Sequence, residues 1–245
     1  MKKILYGIIS AMLLLSVSSC KKDKTTYNGT SSLYVINAAI GTGAVRVNAG
    51  GGSGFAYSRA TDLLFGASGV YSGFTGSNPI TIVSSADTTK TIFNRTINLQ
   101  AINTLYLAGQ VPNIDTIYRA ETNFPYINST VNNADNSMYV RFVNLSPNSP
   151  PLSINIQSIA TNEITALPYK GISAYKKYAA LSTDYTFEIR DASLDPTTTS
   201  PLATFTLPTS NTLYKTTTLV IEGLVSADPA NPGPTPLTVL QVNYN

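Results

Sequence analysis

The chain has 245 residues, only 12% of them charged, with 16 Lys and Arg against 13 Asp and Glu, no histidine and one cysteine. These counts exclude a disulfide within the monomer, every Ser-His or Cys-His pair, and the commonest general base and metal ligand. They also exclude a sustained positive field of the kind that nucleic-acid binding needs.

At the N-terminus, Lys2 and Lys3 precede Ile4 to Val17, an apolar run interrupted only by Gly7, Ser10 and Ser16. It is shorter than the roughly 20 apolar residues of a membrane-spanning helix. Small residues Ser18 and Ser19 then lead to Cys20, and Val17-Ser18-Ser19-Cys20 resembles the bacterial lipobox. In that motif the thiol takes a diacylglyceryl group and becomes the mature N-terminus. The resemblance implies a signal peptide over 1–19, lipid attachment at Cys20 and a place on the bacterial outer membrane, on either face. Losing Lys2 and Lys3 leaves 14 basic against 13 acidic side chains. Once acylated, Cys20 supplies no thiol for catalysis or soft-metal binding. No catalytic, cofactor or metal site is expected.

Residues 20–31 are polar and without periodicity, a lipidated tether whose lysines can each contribute about 1 kcal/mol against anionic head groups. Cys20-Lys21-Lys22-Asp23-Lys24 is similar to the N-termini of many Bacteroidota lipoproteins. Beyond it the chain reads as strands: Leu33 to Ala38, Ile80 to Val83, Thr91 to Leu99, Thr104 to Ala108 and Asp115 to Ala120. Gly50 to Gly54, Gly76-Ser77-Asn78-Pro79 and Pro112-Asn113 punctuate them. Short strands with regular turns predict an all-β sandwich or barrel with little helix.

The same landmarks then return in order. Leu33-Tyr34-Val35 is matched by the run opening at Met138-Tyr139-Val140, and Phe65 to Tyr71 by Tyr169 to Tyr175. Ile80-Thr81-Ile82 is matched by Tyr185-Thr186-Phe187, Thr96 to Leu99 by Thr204 to Leu207, and Leu105 to Gly109 by Leu219 to Gly223. The offset begins near 105 and widens to 114. Two copies of one domain follow, over 32–122 and 137–245, separated by a linker over 123–136 that contains Pro125, Asn132-Asn133 and Asn136. The whole stretch joining the copies, counted from the end of the last strand, runs from Glu121 to Asn136. A single large barrel is the competing arrangement, but it would not require the opening strand to recur.

Each half resembles the domain of unknown function 4397 family of bacterial envelope proteins. Met138 to Asn155, with Arg141 and Ser146-Pro147-Asn148-Ser149-Pro150-Pro151, carries the resemblance best, and Tyr175, Gly223 and Leu237 to Leu240 continue it. The first half departs at Ala38 to Gly43, which lacks the prolines. The resemblance implies tandem immunoglobulin-like or transthyretin-like β-sandwiches, and no activity.

Several motifs invite chemistry and are better read as structure. The Gly50 to Gly54 loop runs into Phe55-Ala56, not the Lys-Ser/Thr and helix of a phosphate loop. Ser173-Ala174-Tyr175-Lys176 matches S-x-x-K, but follows Gly171 in a β-rich repeat, without the accompanying serine-enzyme motifs. Glu188 and Asp191 could be imagined as a glycosidase pair. However, Tyr185, Phe187 and Ile189 share one strand face, which turns Glu188 to the other, toward solvent. Asn132 to Asn136 lacks the spaced carboxylates of a tight calcium site. Asp87-Thr88-Thr89 and Asp115-Thr116-Ile117 resemble Bacteroidota O-glycosylation sites.

Fifteen tyrosines and no tryptophan raise a binding question, since exposed Tyr can stack on sugars or anchor a partner. Tyr34 with Tyr139, and Tyr71 with Tyr175, recur in matching places and read as packing residues. Tyr57, Tyr126 and Tyr178 are the candidate exposed contacts. The sequence thus predicts a non-catalytic envelope lipoprotein serving binding, adhesion or assembly. Its partners are the membrane, through the lipid, and a glycan or envelope protein. The alternatives are a fimbrial subunit cleaved at Arg46 or Arg59, and an accessory glycan-binding lipoprotein.

Overall fold

The computed structural model describes residues 29–51, 54–125, 137–159, 161–179, 183–196, 198–208, 215–226 and 235–244. Cys20, Tyr126 and Asn132 to Asn136 lie outside them. Runs of β-branched and aromatic residues, separated by Gly, Pro and Asn turns, form two successive sets of eight strands. The first set is β1 (Thr30–Asn37), β2 (Ala44–Ala49), β3 (Leu63–Leu64), β4 (Ala67–Phe74), β5 (Gly76–Ser84), β6 (Thr91–Leu99), β7 (Ile102–Gln110) and β8 (Asn113–Ala120). The second is β9 (Ser137–Asn144), β10 (Leu152–Ile156), β11 (Asn162–Leu167), β12 (Lys176–Ala179), β13 (Tyr185–Asp191), β14 (Ala203–Leu207), β15 (Thr216–Glu222) and β16 (Thr238–Tyr244). A single 3-10 turn, Tyr57–Arg59, is the helical element among the described residues.

Each half is a sandwich of two four-stranded sheets. In the first half sheet A runs β4-β1-β7-β8 and sheet B runs β3-β2-β5-β6. In the second, sheet C runs β12-β9-β15-β16 and sheet D β11-β10-β13-β14. Adding eight to each strand number converts one half into the other. Both halves also contain the same parallel pair, β1 with β7 and β9 with β15, while every other strand ladder among the described residues is antiparallel.

Three apolar layers hold the four sheets in the order B, A, C, D. Leu33, Val35, Leu105 and Leu107 of sheet A meet Val47, Ile80 and Ile82 of sheet B. Phe142, Leu219 and Ile221 of sheet C meet Ile154, Phe187 and Ile189 of sheet D. The third layer joins the halves: Ile36, Tyr106 and Ala108 of sheet A pack on Val143, Val220, Val242 and Tyr244 of sheet C. Strands β1, β7, β9 and β15 are therefore buried on both faces, which is why they read as nearly continuous apolar runs. At about 1.5–3 kcal/mol per fully buried large aliphatic side chain, the middle layer is a substantial contribution.

The ladders also correct the register of the repeat. Asn37 pairs Leu107 and Asn144 pairs Ile221, so Asn37 corresponds to Asn144 and Tyr34 to Arg141. The sequence alignment of the opening strand was two residues short, and Tyr34 and Tyr139 are not equivalents. A slip of two keeps every side chain on its face, so alternation cannot detect it. A different irregularity separates Tyr71 from Tyr175. Ser68 faces Ile36 and Ile172 faces Val143, but Tyr71 faces Leu33 while Lys176, not Tyr175, faces Val140. The extra residue turns Tyr175 to the opposite side of its sheet. Tyr71 packs on the first core, whereas Tyr175 lies over Arg141.

The true register exposes a repeated clamp that the sequence reading missed. Asn37 donates through Nδ2 to the Leu63 carbonyl (3.2 Å), and Asn144 to the Leu167 carbonyl (3.1 Å). Each Oδ1 accepts from the backbone N–H two residues on, Ala39 or Ser146, and from a hydroxyl, Thr42 or Ser149. Buried side-chain amides thus tie the opening strand of each sandwich to its partner sheet.

Candidate functional site

The most developed polar constellation lies between the halves. Arg141 on β9 is fully buried and grips Glu121, just beyond β8, in a two-pronged ion pair, Nη1 to Oε2 at 2.8 Å and Nη2 to Oε1 at 2.5 Å. Its Nη2 also donates to the hydroxyls of Tyr106 (2.9 Å) and Tyr244 (3.2 Å), and its Nε to Thr218 Oγ1 (2.9 Å). Tyr175 covers the guanidinium, ring centroid 4.5 Å away. Burial opposes the charge on Arg141, but Tyr106 and the Glu121 hydrogen bond outweigh it and hold the guanidinium above its usual pKa. Thr104 and Arg119 complete the coordination of Glu121. Glu121 therefore belongs to the centre of the molecule and not to the linker.

This cluster has a symmetry mate made of different residues. Asp115 on β8 faces Ala108 as Thr238 on β16 faces Glu222, and Ala108 corresponds to Glu222, so Glu121 and Tyr244 are equivalents six residues further on. Arg141 is the equivalent of Tyr34. The ion pair of Arg141 with Glu121 is thus matched by the ring pair of Tyr34 with Tyr244, centroids 4.4 Å apart. Residue i touching j while j′ touches i′ is the pattern of a two-fold interface. The halves pack as a pseudo-dimer in which one copy of the contact is ionic and the other aromatic.

Glu222, the last residue of β15, is a second buried acid. Its Oε1 approaches Gly66 of the first half, where a Cβ would stand 3.0 Å away, and its Oε2 has no partner among the described residues. Burial pushes its pKa up to about 8 from 4.5. The folded chain then holds this proton to higher pH than the unfolded chain does. Stability is complete below about pH 4.5 and declines as pH rises to about 8. Urea melts across that window should show the decline in the native chain and a flatter profile in Glu222→Gln; an unchanged slope would refute the assignment.

A cleft of about 470 Å³ opens at one end of the first sandwich, lined by Thr42, Ser84, Lys90, Ile92, Val111 and Ile114 among others. These residues come from the loop after β1, the β5–β6 turn and the β7–β8 turn. β1 runs toward them from Thr30, so the cleft sits at the Asn37 end of the strand, away from Thr30. It combines one cation with hydroxyls and apolar walls, a lining suited to a polar, uncharged or acidic ligand.

The sequence candidates fall in several places. Tyr57 is half-buried in the 3-10 turn, edge-on to Phe55 at 5.0 Å. Tyr178 is corrected: only 5% exposed, its ring packs on Tyr185 and Phe187 and its hydroxyl donates to Glu163 Oε2 at 2.7 Å. β12 is four residues long, too short for alternation to assign a face. Lys176 is ion-paired with Glu163 at 2.5 Å, and Ser173 Oγ accepts from the Phe142 N–H (2.9 Å) and donates to the Ala174 carbonyl, so neither side of S-x-x-K serves the other. Glu188 is also corrected, since it is largely buried and held by Asn155 (2.9 Å) and Arg190 (3.0 Å) instead of facing solvent. Asp191 accepts from Ser193.

Asp87 is occupied by Thr89, and Asp115 by Tyr169 (2.9 Å) and Lys170 (3.2 Å) of the other half. Arg46 is paired with Asp62 at 2.6 Å, while Arg59 is exposed. Among the described residues no group of three His, Cys, Asp or Glu could hold a metal, and no helix is long and apolar enough to cross a membrane.

No family model matches the chain, and no curated protein does. Among solved structures it is similar to the Bacillus anthracis TIE protein, at 8% identity over 88% of this chain and a TM-score of 0.22. The chain spans 44% of that protein's chain.

Proposed function

We propose that the chain is a non-catalytic lipoprotein of the bacterial envelope. Cys20 carries the lipid, and the two packed sandwiches present a binding or assembly surface to a glycan or another envelope protein. The observation that carries the reading is the position of the cleft, at the Asn37 end of β1, away from Thr30. A ligand bound there meets loops held by a stack of four sheets, which cuts the ordering cost of binding. The sole cysteine at a lipobox and the likeness of Met138 to Asn155 to the domain of unknown function 4397 family support the envelope setting.

Labelled palmitate and detergent-phase partition test the anchor. The native chain should take label and enter the detergent phase, and Cys20→Ala should do neither. Partition of Cys20→Ala like the native chain would refute anchoring. Affinity gels containing envelope polysaccharide, and pull-downs from envelope extracts, test the surface. Ile92→Asp or Lys90→Glu should weaken retention roughly fivefold, about the 1 kcal/mol of an ordinary contact residue. Equal retention by both variants would remove the cleft from the proposal.

A further inference from the structure

We infer that the free edge of β4 is a self-association site, at which two copies of the chain join sheet A to sheet A by antiparallel pairing. The backbone geometry fixes what that edge offers. Ser32 and Ala38 of β1 donate toward β7, and Thr75 beyond β4 donates to the Gly29 carbonyl. Even-numbered residues of β1 therefore bond β7 and odd-numbered ones bond β4. With Tyr34 opposite Val70 and Ser32 opposite Ser72, the backbone N–H and C=O groups of Ser68, Val70 and Ser72 point away from the sheet. No described residue pairs with them. The Phe74 carbonyl is the exception on that edge, accepting from Asn78 Nδ2 at 2.9 Å.

Exposed edges are ordinarily blunted by charge, brevity, bulges or cover. The other edges of this molecule follow that rule. β3 has two residues, β6 carries Arg95, and β8 carries Asp115 and Arg119. β11 carries Glu163 and two register shifts against β10. β14 and β16 are uncharged but lie against each other across the open side of the second sandwich. β12, the counterpart of β4, is four residues long and bears Lys176 and Lys177. β4 meets chiefly the two-residue β3 and the neighbouring β2 among the described strands of the facing sheet, and Ala67-Ser68-Gly69-Val70-Tyr71-Ser72-Gly73-Phe74 is eight residues without charge, proline or register shift.

A second copy is the occupant that this edge fits. The strand has no charge to repel its own image and no charge with which to select a foreign sequence. Setting Tyr71 opposite Tyr71 of the second copy brings Val70 opposite Ser72 in both directions, so that the outward groups of these four residues satisfy one another. The apolar residues Val70 and Phe74 are 55% and 63% exposed. They share the face of Tyr34 and Thr30, continuing the surface on which sheet C already packs. Pairing would cover them on both copies.

Light scattering and sedimentation of the full chain in detergent, at about 0.1 mM, should find a dimer, because such an association depends on protomer concentration. Ser72→Lys puts one charge on the edge and should shift it to monomer, weakening association at least tenfold with an unchanged melting profile for the monomer. Register is tested in a Cys20→Ser background under dissolved oxygen. Val70→Cys mixed with Ser72→Cys should cross-link as a heterodimer, because the directly opposed Cα atoms lie within disulfide reach. Each variant alone should cross-link little. A monomeric native chain, a dimer indifferent to Ser72→Lys, or equal cross-linking alone and mixed would each overturn the inference. A monomer that instead captures an extended peptide of another protein would also overturn it.

Discussion

Replacing Arg141 by methionine should lower the unfolding free energy by about 3–5 kcal/mol, the cost of leaving a buried charge without its partner. Among the described residues Glu121 would keep Thr104 and Arg119, the latter at 3.3 Å and half-exposed. The paired change Arg141→Met with Glu121→Leu should recover most of that loss, because it removes both charges together. The molecule already contains the precedent. At the symmetry-related position Tyr34 and Tyr244 make the equivalent contact ring to ring, with the Tyr244 hydroxyl as its one link to Arg141 among the described hydrogen bonds. Urea melts of the two single variants and the double variant form the cycle. A single-variant loss under about 1 kcal/mol, as for a surface pair, would contradict the account.

Gly223→Ala should cost about 2–5 kcal/mol, adding the strain of a left-handed backbone to forced displacement of the backbone leading into β16. Gly223 has φ of 87° and its counterpart Gly109 has φ of 83°. At both sites the obstacle is backbone. A Cβ on Gly223 would overlap the Pro236 carbonyl oxygen, and one on Gly109 would stand 2.5 Å from the Asn113 carbonyl oxygen. Neither oxygen can rotate away as a side chain would. Gly54, where a Cβ meets nothing within 4 Å, provides the control, and Gly54→Ala should be close to neutral in the same melts.

The strands, their alternation and the repeat were legible in the residues. Leu105 to Gly109 against Leu219 to Gly223 was aligned in true register, because the glycine required by the turn marks one position. The opening strand carried its marker at its far end, in Asn37 and Asn144, and matching Tyr34 to Tyr139 instead gave a two-residue slip that concealed the equivalence of Tyr34 with Arg141. Glu121 was hidden for another reason: it stands beside Pro125 and the asparagines of the connection, and nothing local distinguishes a buried acid from a solvated one. The available signal was Arg141 itself. Tyr139, Arg141 and Val143 share one face of β9, and Met138, Val140 and Phe142 the other. A strand apolar on both faces leaves an arginine no solvent and requires a carboxylate partner.

The cleft at the far end of β1 was not legible, since it is assembled from three loops distant in sequence. Tyr178 was misplaced because a four-residue strand has too little alternation to assign a face. Tyr175 was matched to Tyr71 correctly by letter, yet one inserted residue reverses the face of a strand side chain.

Scanning calorimetry of the native chain puts the packing of the two halves to the most direct trial. If sheets A and C are joined by the Arg141 ion pair and the apolar layer around it, unfolding should be one transition, with calorimetric and van't Hoff enthalpies in agreement. Arg141→Met should lower that transition or divide it. Two separate transitions in the native chain, indifferent to Arg141→Met, would mean that the halves unfold independently and that the interface does not bind them into one body.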